Sequence, residues 1–278
     1  MKVESLHIYP VKGCRAVDVT EAAIERRGLA HDRRWMIVDE NYKFVTQREV
    51  PAMAAIETAI AGDMLALGLN GSAIGIDFPT PNAPKHTVTI WKQQVEAYTA
   101  GAAADKWITS ALGFRAHLVW QGGLPRSIAS TQATPDTPTS FADDFPLLVT
   151  VSESLADLNT KMPAPLPMNR FRPNIVVTGA PAWAEDMWRK IRIRDVVIDL
   201  PKPCLRCVVT ATDQQHGMRG EDNEPLKTLK TFRLMREAGM TGVVLGQNGI
   251  PEGTGVIHLG DTVEVAECQA APAFVKLG

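Results

Sequence analysis

Pro203-Cys204-Leu205-Arg206-Cys207-Val208-Val209-Thr210 places two thiols and a guanidinium in one short stretch. Residues 191–200, just before it, alternate apolar and polar side chains, the period of a half-buried strand. Residues 208–212, just after it, are rich in β-branched side chains, which favour strands. The pattern predicts a loop fixed between two strands. A thioredoxin-like redox pair needs its cysteines at a helix N-terminus, so that reading is disfavoured. A structural zinc site needs two more Cys or His ligands. Cys14 and Cys268 stand alone, and histidines 7, 31, 86, 117, 216 and 258 have no ligand spacing. What remains is either one thiolate held toward a soft metal, with the second cysteine in support, or a turn with two half-buried cysteines.

Working outward, short strands are expected almost everywhere. Val3, Leu6 and Ile8 interleave with polar residues and run into a loop at Tyr9-Pro10-Val11-Lys12-Gly13-Cys14. A second strand is expected over 17–24. Residues 35–39 pair with 43–47 through a turn at Glu40-Asn41. Asn70-Gly71 between two apolar runs is a strong hairpin signal, and residues 87–91 and 94–99 form another pair. Residues 102–112 read as a helix closed by Gly113. Residues 121–146, rich in Gly, Pro, Ser and Thr, form a linker or a long surface loop and give the best domain boundary. The same loop is expected to form one rim of a site.

The second half resumes with a strand over 146–151 and a helix capped by Ser152. Arg170-Phe171-Arg172 then leads into an apolar strand. Pro173 pushes Arg172 toward an extended conformation, so Arg170 and Arg172 are expected on one side and Phe171 on the other. A helix is expected from Pro225 to Gly239, followed by closing strands. The pattern gives an α+β, β-rich protein with barrel-like subdomains and excludes a doubly wound sheet. The domains expected are 1–120 and 121–278.

Composition sets further bounds. The chain has 278 residues, 45% hydrophobic and 22% charged, with a net charge of −2. No basic field argues for nucleic acid, and no apolar run suits a membrane span. Four cysteines are too few for a disulfide scaffold. A cytoplasmic protein with free thiols is expected. Arg26, Arg27, Arg33 and Arg34 cluster in sequence. By themselves they read as a solvated sheet edge.

The ordered set of motifs resembles the MOSC-domain proteins, in the two-domain form with a MOSC N-terminal β-barrel domain. That group includes the mitochondrial amidoxime-reducing component and YcbX-type bacterial proteins. The resemblance lies in Tyr9-Pro10-Val11-Lys12-Gly13-Cys14, Asp32-Arg33-Arg34-Trp35, Phe141-Ala142-Asp143-Asp144-Phe145-Pro146 and Ser154-Leu155-Ala156-Asp157-Leu158-Asn159. It continues in Arg170-Phe171-Arg172-Pro173-Asn174 and Cys204-Leu205-Arg206-Cys207. It spans nearly the whole chain. Any one motif is weak, and the ordered set is specific.

The resemblance implies a MOSC β-barrel joined to a smaller N-terminal β-rich domain whose first ~33 residues also reach the cofactor site. It implies a pyranopterin molybdenum cofactor with Cys207 as the metal ligand. Lys12, Arg33, Arg172 and Arg206 would hold its phosphate and pterin, with backbone contacts near Asp144 and Phe145. Guanidinium forks suit phosphate. Cys204 would be a neighbour rather than a ligand. The chain departs from the mitochondrial members at Gly13, where they carry Ser, and at Asn248, where they carry an aromatic residue. Both positions are still expected to border the cofactor.

The implied reaction is the reduction of N-hydroxylated compounds: amidoximes, hydroxylamines or hydroxylaminopurines. No iron–sulfur cysteine pattern is present. Electrons are therefore expected from a separate ferredoxin- or cytochrome-type protein with its reductase. Asp213, the first acidic residue after Cys207, is a candidate proton donor or simply a turn-capping Asp. The rival function is a non-redox module that holds the cofactor for sulfur transfer, with a persulfide on Cys207. A third reading is a barrel that binds no cofactor.

Overall fold

The computed structural model describes residues 1–124, 126–134, 136–237 and 240–275. Its largest sheet has ten strands. Along the main path they run Val263–Cys268, Trp188–Ile193, Val196–Leu205, Met240–Pro251, Leu147–Val151, Ile175–Thr178, Lys2–Ile8 and Val17–Val19. Neighbours on this path are antiparallel except Leu147–Val151 with Ile175–Thr178. A parallel pair needs a crossover, and the helix Ser152–Asn159 supplies it. Leu147–Val151 is buried along its whole length and lacks the alternation of a one-faced strand.

Two further sheets come from the first half. Trp35–Asp39, Ala116–Trp120, Gln93–Thr99 and Lys85–Ile90 form one; Glu57–Ala61, Met64–Leu69 and Ser72–Asp77 form the other. The Asn70-Gly71 turn has both residues at positive φ, as a two-residue hairpin turn requires. The helix Ala102–Leu112 ends at left-handed Gly113 and buries Ala104 and Ile108 against Trp35, Leu65 and Leu118.

Three expectations are corrected. Residues 191–200 are not one strand, because a turn at Arg194-Asp195, with Arg194 at φ 52°, splits them between two paired strands. Alternation continues across such a turn, so the pattern hides it. Val208–Ala211 is a 3-10 turn, not a strand. Thr210 donates both its amide and its hydroxyl to the Cys207 carbonyl, at 3.0 and 2.9 Å, and these local bonds override β propensity. The last helix spans only Leu226–Phe232, and Leu234–Glu237 is a strand. Gly239, expected to close that helix, lies outside the described residues.

The first 29 residues hydrogen-bond with the second half of the chain. Lys2–Ile8 pairs with Ile175–Thr178, and Glu21–Glu25 pairs with Gly255–His258. A bulge between Val3 and Ser5 shifts the strand's phase, so Val3, Leu6 and Ile8 all reach the core. A chain beginning at Gln121 would therefore expose a central strand as a raw edge. We expect it to lose the cooperative thermal transition of the full chain, followed by circular dichroism. A cooperative melt at the full-chain temperature would contradict this.

Glu185 is fully buried beneath the sheet. It accepts the Ser154 hydroxyl at 2.7 Å, beside the buried Asp186–Arg233 ion pair. Burial pushes its carboxyl up to about 7 from an ordinary 4.5. A raised acid favours the folded state fully below the unfolded value and loses that advantage as pH climbs through the folded one. Wild-type stability should fall by roughly 3 kcal/mol between pH 5 and 8 from this group. Glu185→Gln should flatten that slope in urea titrations.

Candidate functional site

Segments remote in sequence surround one cleft of about 360 Å³. Lys12 and Gly13 follow the first strand, where the Lys12 amide donates to the Trp35 carbonyl at 2.8 Å. Arg33 sits at the end of a turn with its own φ at 51°. Its amide donates to the Tyr9 carbonyl at 2.7 Å, and its carbonyl accepts the Phe141 amide at 2.9 Å. These two bonds fasten the N-terminal loop, the arginine turn and the 141–145 segment into one wall. Buried Arg126 pins that last segment, donating to the carbonyls of Ser140 and Ala142. The strand Val196–Leu205 delivers Cys204, Arg206 and Cys207 to the opposite wall, where the Arg206 amide donates to the Val243 carbonyl at 2.8 Å.

Lys12, Gly13, Arg33, Asp144, Phe145, Arg172, Arg206, Cys207 and Asn248 all line the cleft. The exception is Asp213, which is not among the lining residues. Its carboxylate accepts the Gln215 and His216 amides at 2.7 and 3.1 Å and so caps its own turn. Proximity in sequence misled here, because the 3-10 turn after Cys207 leads the chain away. Of the early basic cluster, only Arg33 lines the cleft. Arg34 is buried against Glu25 at 2.7 Å.

Arg172 also departs from expectation. It leaves the 3-10 turn Met168–Phe171 in the left-handed region, φ 55° and ψ 47°, rather than extended. The following proline disfavours only the right-handed α region strongly, and the Arg172 amide donates back to Asn169 at 3.1 Å. Arg170 therefore separates from Arg172 and donates to the Ala211 carbonyl at 2.9 Å. Left-handed Arg33 and Arg172 each cost on the order of 1 kcal/mol, and such strain gathers at functional sites.

One ring relieves the like charges. The guanidinium carbons of Arg33 and Arg172 lie 4.5 and 4.2 Å from the centroid of fully buried Tyr9. Tyr9 donates its hydroxyl to the Pro173 carbonyl and its amide to Asp32, both at 2.9 Å. Asp32 in turn binds Arg33 at 2.5 Å. Burial brings Arg172 down to about 10, still charged at neutral pH. Burial lowers Lys12 to about 8 although Asp143 beside it opposes the shift. For Asp143, desolvation pushes upward, but Lys12, Arg48 and Arg33 outweigh it and hold the carboxyl well below the usual range.

Among the lining residues that sequence reasoning missed, three make the most telling contacts. Asn174 accepts from Arg33 at 3.3 Å and from the Leu148 amide at 3.1 Å. Lys202 pairs with Asp144 at 2.5 Å. Arg48 reaches within 3.3 Å of the Cys207 sulfur. Asn174 stood inside a quoted motif. Arg48 and Lys202 carried no local signal.

Fold and cleft together define a β-rich protein whose two parts close around a cationic, sulfur-bearing cleft. Residues 1–115 match the MOSC N-terminal beta barrel domain and residues 136–264 match the MOSC domain. The chain belongs to the MOSC-domain family, in this two-domain form. It is similar to mitochondrial amidoxime-reducing component 1 of Homo sapiens, 32% identical over 94% of this chain and 82% of that protein. Component 1 of Mus musculus is 31% identical over 94% of this chain and 81% of its own length. Component 2 of Homo sapiens is 31% identical over 94% and 82%.

The Tyr9 arrangement is testable. Tyr9→Phe keeps the ring between the arginines and loses one buried hydrogen bond, so about 1 kcal/mol of stability should go. Tyr9→Ala removes the ring as well and should cost about 3–5 kcal/mol. Urea denaturation would measure both; equal losses would mean the ring contributes nothing between the charges.

Proposed function

We propose that this chain is a molybdenum-cofactor oxidoreductase that reduces N-hydroxylated compounds, amidoximes among them, with electrons from a separate donor protein. The observation that carries the reading is the gathering of Cys207 with Lys12, Arg33, Arg172 and Arg206 around one cleft. The names of the similar proteins, amidoxime-reducing components, support the reaction class. The residues also fit the group chemically. Arg172 Nη2 and Arg206 Nε are buried without a partner among the described residues, and an anionic ligand rich in acceptors would satisfy them.

In this reading Lys12, Arg33, Arg172 and Arg206 hold the pterin phosphate, and Cys207 ligates the metal. Gly13 also borders the ligand; its φ of +82° and the 2.7 Å that would separate a Cβ from the end of buried Met53 fit glycine there by backbone and core packing. Asp144, Phe145 and Asn248 border the ligand, with Asn248 tied to the Pro203 carbonyl at 3.3 Å. Cys204 accepts from Arg206 at 3.0 Å and so helps aim that guanidinium. When bound, the molybdenum centre supplies the two-electron chemistry that cleaves the N–O bond. The protein's part is to fix the cofactor, shape the pocket and manage protons. Asp213, which caps its own turn away from the cleft, is not retained as the proton donor, and Lys12 Nζ, held by Asp143 and the Phe141 carbonyl, serves the phosphate.

Cys207→Ser should keep the fold but lose tightly held molybdenum and reductase turnover. Cys204→Ser should keep most of both. Metal and pterin analysis of purified protein, alongside turnover of an amidoxime with a chemical reductant, reads the outcome. If Cys204→Ser abolishes activity while Cys207→Ser does not, the ligand assignment is wrong. Cofactor bound without turnover under any donor would instead favour a non-redox carrier.

A further inference from the structure

Six cationic side chains line the cleft: Lys12, Arg33, Arg48, Arg172, Lys202 and Arg206. Four of them have been given to the pterin phosphate. Lys202 is matched by its own carboxylate, Asp144, at 2.5 Å. Arg48 has none to itself. Its nearest carboxylate oxygen, on Asp143, is 3.5 Å away, and the other oxygen of that carboxylate is already taken by Lys12. Among the described residues, the only hydrogen bond that the Arg48 side chain donates is from Nη2 to the Cys207 sulfur, at 3.3 Å. A guanidinium has five N–H donors, so most of those on Arg48 are unused. Its side chain remains about a third exposed. One under-neutralised cation with spare donors therefore lies directly beside the proposed reacting centre.

The way Arg48 is held points the same way. Its guanidinium carbon lies 4.7 Å from the ring centroid of Trp91, which in turn packs on Phe44 at 4.8 Å. Trp91 is 44% exposed, an unusual fate for so large an apolar ring. It occupies the first position of the two-residue turn between Lys85–Ile90 and Gln93–Thr99, with φ at 53°. Asn, Asp or Gly normally fill that position, and a bulky residue there is strained. The strained, exposed ring is accounted for if its task is to fix Arg48 at the mouth of the cleft.

We infer that Arg48, propped by Trp91, is a specificity residue that recognises an anionic group on the substrate. The substrate class is then N-hydroxylated compounds that also carry a carboxylate or phosphate, in preference to neutral ones. The inference rests on the reductase reading for its reaction but not for its recognition chemistry. An arginine fork beside the site offers bidentate contact to either anion, and a charge so placed raises both encounter rate and affinity. The preference must also shrink with added salt, because the residue is partly exposed.

The test compares a neutral aryl amidoxime with its para-carboxylate, using cofactor-loaded protein. Two readouts are taken: kcat/KM for reduction, and equilibrium binding of the two corresponding amidine products by calorimetry. Wild type should favour the carboxylated member by about tenfold or more in both. Arg48→Gln should bring both ratios close to one. Arg48→Lys, which keeps the charge, should retain part of the preference, and Trp91→Ala should reduce it. Equal handling of the two compounds by wild type overturns the inference, whatever the variants do. So does a ratio that Arg48→Gln leaves unchanged. If neither compound is reduced but the binding ratio and its loss in Arg48→Gln are seen, the recognition site stands and the proposed reaction falls.

Discussion

The cleft depends on a single buried aromatic ring. Arg33 and Arg172 carry like charges, both sit largely out of water, and both adopt left-handed backbone. Uncompensated, two such groups would repel and pay heavily for desolvation. Tyr9 lies against both guanidiniums and offers each its negative π face. Its hydroxyl and amide fasten the Pro173 and Asp32 segments to its own. A ring contributed by the end of the first strand thus organises three segments that are distant in sequence.

Around that ring the protein builds a positive cavity on a chain of slightly negative net charge. Global charge gave no hint of an anionic ligand, because what matters is where the charges converge. Carboxylates are positioned to divide the work among the cations. Asp32 neutralises Arg33 from behind, Asp143 engages Lys12 and Arg48, and Asp144 engages Lys202. Arg172 and Arg206 are left with neutral partners, Gln214, the Cys204 thiol and the Phe171 carbonyl. Those two are the cations with most to gain from a ligand.

The described residues of segment 121–146 show how a loop of poor secondary-structure content becomes part of the site wall. Arg126 turns inward and bonds to carbonyls on the same loop, while its Nε donates to Gln93 on a neighbouring strand at 3.0 Å. Gln121 adds a bond to the Thr139 carbonyl at 3.1 Å. The loop is held by its own polar side chains rather than by a ladder, so Asp143, Asp144 and Phe145 are presented from a fixed frame.

By itself the sequence determined the β-rich class, the Asn70-Gly71 hairpin, the helix closed by Gly113 and, through the ordered motifs, the family. Those are local or periodic signals, set by backbone sterics and by which side chains avoid water. It also marked Lys12, Arg33, Arg172, Arg206 and Cys207, because each stands in a motif. Tertiary structure alone decided the rest. The pairing of Lys2–Ile8 with Ile175–Thr178 is a contact between residues far apart in the chain, and no local pattern encodes it. The conformation of Arg172 and the turn after Cys207 followed from hydrogen bonds that override propensity. Asp213, close to Cys207 in sequence, turned away from the cleft, while Arg48, separated from Cys207 by most of the chain, came to its sulfur. Adjacency at a site is a property of the folded surface, and the order of residues along the chain constrains it only where a strand or a tight turn fixes direction.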